Sequence, residues 1–115
     1  MRRRFPIGTL LILSDKISSP PTHLGWARSA TKHRISHERS RYVIKHCGLR
    51  FRREPPAGAP AGASVRLVFL GDDMEGIALE VMGVELEDKS LLVIHAMLLR
   101  DRFREQYEEA RKWQR

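Results

Sequence analysis

Residues 65–99, VRLVFLGDDMEGIALEVMGVELEDKSLLVIHAMLL, contain three runs dense in Val, Ile, Leu and Phe, the apolar density of a core. The runs 65–70, 77–86 and 91–98 are separated by GDDMEG and EDKS, turn compositions too short to hold a crossover helix. Three successive strands of an antiparallel meander follow. In the last run, alternation puts Leu91, Val93, His95 and Met97 on one face and Leu92, Ile94, Ala96 and Leu98 on the other. Both faces are largely apolar, which predicts a central strand covered on both sides, or by helix on one side and a partner on the other, with His95 as its one ionisable side chain.

The flanking segments must cover that sheet. Residues 23–34, HLGWARSATKHR, carry Leu24, Ala27 and Thr31 at helical spacing, which predicts a short amphipathic helix. Ser36 reads as the N-cap of a second helix over 36–46, closed by Gly48, with Tyr42, Val43 and Cys47 toward the sheet and Arg39, Arg41 and Lys45 outward. GLRFRR, residues 48–53, alternates as a half-buried strand does, with a basic outer face. Residues 55–64 are rich in Pro, Ala and Gly and form a flexible connection into the meander. After it, Phe103, Tyr107 and Ala110 recur at i, i+4, i+7, the stripe of a C-terminal helix. The expected fold is α+β: an antiparallel sheet of about four strands packed by N-terminal helices and one C-terminal helix. Residues 23–115 form its single domain. Residues 1–22, with one apolar run at 9–13 followed by DKISSPPT, form an extension that either adds an edge strand or stays unordered.

Charge narrows the partners. Residues 1–53 hold 13 Lys or Arg against 2 Asp or Glu, and residues 54–115 hold 8 against 12. A polyanion, nucleic acid or acidic protein, would meet the first half, although a solvated basic face without a ligand has the same composition. The lone Cys47 cannot form an internal disulfide and lacks the companions of a zinc site, which fits a reducing cytoplasm and a small buried filler. No apolar run reaches the length of a membrane span, so no membrane partner is expected. The basic, then apolar opening MRRRFPIGTLLILS is not followed by a small-residue cleavage pattern.

The order of parts, KHRISHERSRYVIKH, a strand, VFLGDDMEG, IALEVMGVELED and LLVIHAMLLRDRF, resembles the small bacterial toxins of the BrnT-like group, described with the RelE/ParE superfamily of toxin–antitoxin modules. The match to K-H-x-I-S at Lys32, His33, Ile35 and Ser36 is similar to that family's junction between helices, where glycine commonly stands at the position of Arg34. Ile94 to Met97, followed by Arg100, resembles its last-strand signature. The likeness runs from Trp26 to Phe103, and residues 1–22, the Pro/Ala/Gly loop and Arg34 depart from it. It implies a cytoplasmic ribonuclease or growth inhibitor, with RNA as target, a cognate antitoxin as protein partner and no cofactor.

Metal-free RNA cleavage needs a base for the 2′-hydroxyl, cations for the phosphate and an acid for the leaving oxygen. His95 with Arg100 is one candidate source; Lys32 and His33 are the other catalytic candidates. Arg34, Arg50, Arg52, Arg53 and Arg102 are candidates for contacting RNA. Each has a plain alternative: His95 as a buried histidine bonded to a carbonyl, Lys32 to Arg34 as solvated helix-end charge, and Arg50 to Arg53 as a guarded strand edge. Asp72, Asp73, Glu75 and Glu80 suggest either a divalent cation or a solvated hairpin, the commoner meaning of adjacent carboxylates in a Gly-flanked turn. A non-catalytic binding module and an inactive toxin relic are the competing functional readings.

Overall fold

A computed structural model describes residues 23–60 and 63–113. In chain order these form β1 (Leu24–Trp26), a 3-10 turn (Arg28–Thr31), α1 (His37–His46), β2 (Leu49–Arg53), β3 (Arg66–Asp72), β4 (Ala78–Glu85), β5 (Leu91–Leu98) and α2 (Asp101–Trp113). The strands make one sheet in the order β1-β5-β4-β3-β2. Strands β2 to β5 pair antiparallel, and the meander lies where its runs and turns place it. The expectations for residues 1–22 lie outside the described residues.

Two elements differ from the expectation. Residues 23–34 form no α-helix; Leu24 to Trp26 pair parallel with Leu91 to Val93, and only one turn of 3-10 helix follows. The sheet therefore has five strands and is mixed. Strand β5 would otherwise expose a row of backbone N–H and C=O groups, and a three-residue strand satisfies them better than a short isolated helix could. Trp26 then anchors this edge to α1: its indole N–H donates to Ser40 Oγ at 3.2 Å and its ring stacks on His37 at 4.3 Å. Strand β5, paired on both sides by β1 and β4, is an interior strand as its two apolar faces predict, and β4 occupies the middle of the sheet.

Helix α1 starts as its sequence dictates, with Ser36 Oγ accepting from the Arg39 amide at 3.1 Å. Its inward face is Ser40, Val43, Ile44 and the half-buried Cys47, the i, i+3, i+4, i+7 set. Tyr42 consequently turns to solvent instead of the sheet, and Arg39 turns inward to the buried Asp73 at 2.8 Å. Asp73 Oδ1 accepts the amides of Glu75 and Ile77, so this carboxylate closes the β3–β4 turn and clamps it to α1. Those bonds hold its pKa below the carboxylate norm although burial works the other way. It is no solvated hairpin acid.

The sheet is covered on both faces. Val43, Ile44, Leu67, Phe69, Leu79, Val81, Leu91 and Val93 fill the α1 side. Phe51, Val68, Leu70, Met82, Leu99, Phe103 and Tyr107 fill the α2 side, which bears out the aromatic stripe of the last helix. Each fully buried Phe, Leu or Val adds about 1.5–3 kcal/mol, so two such layers hold a chain of this size. Among the described residues no helix is long and apolar enough to cross a membrane.

Candidate functional site

Along β4, Leu79 and Val81 point to the α1 layer, so Ala78, Glu80 and Met82 point to the α2 layer. Glu80 is thereby carried into the interior, with no exposed surface. An ionised carboxylate there costs several kcal/mol unless its lone pairs are met. Its Oε1 accepts the Arg100 amide at 2.9 Å; its Oε2 accepts Arg100 Nε at 2.8 Å and lies 2.9 Å from His95 Nε2. The Arg100 Nη2 also pairs with Oε2. Burial pushes the Glu80 pKa up, but the bonds from His95 and Arg100 outweigh it and lower it from 4.5 to about 2.

His95 reaches Glu80 through a β-bulge. The β4–β5 register runs Val81 to Ala96 and Met82 to His95, then jumps to Gly83 with Val93, leaving Ile94 as the extra residue. Leu91 and Val93 stay in the α1 layer, while Ile94 and His95 both turn to the α2 side. Simple alternation put His95 on the same face as Leu91 and Val93. The bulge reverses that, and Gly83 permits it: a Cβ there would sit 2.8 Å from Leu91 Cδ1 and 2.9 Å from the Leu92 oxygen.

The cluster opens to solvent. The side chains of His95 and Arg100 are 20% and 38% exposed. The 3-10 turn is held to β5 by Ser29 Oγ, which donates to the Ile94 oxygen at 2.7 Å, and the chain that leaves it brings the exposed His33 ring edge-on to His95, with centroids 5.7 Å apart. Three of the four catalytic candidates, His33, His95 and Arg100, thus meet at one place. Lys32 and Arg34, on either side of His33, are exposed and take no part in the hydrogen-bonded cluster.

The RNA-contact candidates divide. Arg50 and Arg52 pair with Phe69 and Leu67 on the α1 side of the sheet, and Arg50 lies beside Cys47. Arg53 falls on the other side, opposite Arg66. A single basic strand face tracking phosphates is therefore not what forms, because alternate residues of β2 look in opposite directions. Arg53 and Arg102 converge instead over Phe103, at 5.6 and 5.0 Å from its ring centre.

Two participants escaped the sequence reading. Glu80, grouped there with the turn acids, is the hub; the legible signal was its place inside ALEVM, an acid flanked by apolar residues well past the turn. Arg66, next to the Pro/Ala/Gly loop, carried no signal of its own. Its partner is fixed only by the β2–β3 register. The four carboxylates weighed as a cation site serve separate partners: Asp72 accepts from Tyr107, Asp73 closes its turn, Glu80 holds His95 and Arg100, and Glu75 is exposed.

No family model, curated protein or solved structure matches the chain.

Proposed function

We propose that this protein binds RNA and cleaves it at the His33–His95–Arg100 cluster without a metal ion, as the toxin of a toxin–antitoxin pair. The observation that carries the proposal is an imidazole locked by a buried carboxylate and faced by a second imidazole at a solvent-open edge. The motif order from Trp26 to Phe103 supports the toxin assignment, and the basic first half supports the polyanionic target.

An ionised carboxylate can only accept, so Glu80 selects the His95 tautomer that carries its proton on Nε2. Nδ1 is left with a lone pair. In the reaction that nitrogen takes the 2′-hydroxyl proton, and Glu80 stabilises the resulting imidazolium as the carboxylate of a hydrolase triad does. The 2′-oxygen attacks phosphorus, the bond from phosphorus to the 5′-oxygen breaks, and His33 delivers a proton to that oxygen. The products are a 2′,3′-cyclic phosphate and a 5′-hydroxyl. Arg100, already oriented by Glu80, directs its remaining N–H groups at the phosphate oxygens.

The test is incubation of the full chain with single-stranded RNA in EDTA, with the fragment ends identified. Cyclic phosphate ends that vanish in His33→Ala and His95→Ala support the mechanism. Loss of cleavage with chelator, or cleavage untouched by both substitutions, sinks it. A second reading, a module that binds RNA without cutting it, draws on the double ion pair at Glu80, which also serves as a plain structural clamp. It predicts salt-sensitive binding and no fragments.

A further inference from the structure

Beside the cluster lies a groove of about 590 Å³. Its apolar surface comes from Pro55, Pro56 and Pro60 of the connection and from Val84 and Ile94 of the sheet; its charged surface is Arg53, Arg66 and Arg102 with one carboxylate, Glu54, leaving a net positive lining. Ile94 adjoins His95 in β5, so the groove begins where the proposed cleavage site ends. Among the described residues no carboxylate lies in an ion pair with Arg53, Arg66 or Arg102, whereas Arg39, His95 and Arg100 each have one.

Such a grouping is costly. Burial, and then the like charges of Arg102, Arg66 and Arg100, pull the Arg53 pKa below the ordinary guanidinium value. Surface arginines that only confer solubility spread apart; these are gathered by the β2–β3 register and the first turn of α2 around an apolar trough. Guanidinium forks match phosphate oxygens, and the proline and aliphatic walls offer an apolar surface against which a nucleobase can pack. A trough of this volume is within the range of small-ligand sites.

We infer that this groove is a second phosphate subsite, seating the nucleotide next to the scissile one in a single strand, with its phosphate on Arg53, Arg66 and Arg102 and its base against the proline wall. The assignment of a strand as ligand rests on the proposed RNA reading; the anion subsite itself does not. It gives the strand a direction across the protein, from the histidines along β5 to the connection.

The experiment measures binding of a labelled 2′-O-methyl RNA, which lacks the nucleophile and stays intact, to the full chain across a salt series. Arg66→Ala and Arg102→Ala each weaken binding by roughly three- to tenfold at low salt and lower the salt slope by about 0.7, one phosphate contact apiece. Lys45→Ala, an exposed cation on α1 across the sheet, is the control for net charge. Variants indistinguishable from that control, or no binding by the parent chain, overturn the subsite. Displacement by a mononucleotide at equal phosphate concentration overturns its assignment to a strand. Cleavage of unmodified RNA is scored separately: an uncut RNA with weakened groove variants removes the nuclease and keeps the subsite, and a cut RNA with groove variants matching the control does the reverse.

Discussion

His95 and Glu80 are bonded at 2.9 Å although they do not face one another across their strands: Glu80 aligns with Met97 and His95 with Met82. The bond is diagonal, and diagonal neighbours on one sheet face come within reach only for long side chains. That offset lets Arg100, just beyond the strand end, share the same carboxylate.

Glu80 makes stability depend on acid. Its folded pKa is depressed, from 4.5 to about 2, so its contribution is fully present above 4.5 and is lost as pH falls toward 2. Linkage puts that contribution at about 3 kcal/mol. Urea midpoints measured between pH 6 and pH 2 should show the gap between the parent chain and Glu80→Gln closing across this window and constant above it. A gap that does not change with pH would mean that the carboxylate gains nothing from its partners.

Removing the acid should be distinguishable from removing the support of the base. His33→Ala should lower the RNA cleavage rate by about 10²–10⁴. Because His33 is exposed, thermal unfolding should be unchanged. Glu80→Gln should both slow cleavage and lower the melting temperature. Equal melting losses in the two variants would contradict the division of roles.

Gly83→Ala tests the bulge. The added methyl meets the Leu91 side chain at 2.8 Å and the Leu92 carbonyl at 2.9 Å, and a backbone oxygen cannot swing aside. A loss of about 1–3 kcal/mol is expected in chemical denaturation, together with reduced RNA cleavage as His95 is displaced. Unaltered stability would show that β5 adjusts without strain.

Arg34 has φ 64°, in the left-handed region that disfavours a side chain. Arg34→Gly should stabilise the fold by about 0.5–1 kcal/mol, the relief of strain partly offset by the freer unfolded chain. RNA binding should hold, because Arg34 stands outside the hydrogen-bonded cluster. A drop in affinity matching one phosphate contact would instead place this cation on the RNA.

Most elements whose outcome is decided by each residue's own neighbours are legible in the sequence, the exception being the face of α1, where Tyr42 turns out and Arg39 turns in. The meander, the alternating strand at Leu49 to Arg53, the Ser36 cap and the Phe103–Tyr107 stripe all follow from period and composition. The chain from Leu24 to Trp26 went the other way, because an unpaired edge on β5 outweighs the weak preference of three residues for helix. The site depended still more on distant pairing. One extra residue at Ile94 turns His95 to the α2 side, one strand register sets Arg53 against Arg66, and the carboxylate that joins His95 to Arg100 comes from another strand. Residue types and periods specify which elements form and which faces are apolar; only the register between strands decides which charges meet, because a shift of one residue reverses the face that every side chain occupies.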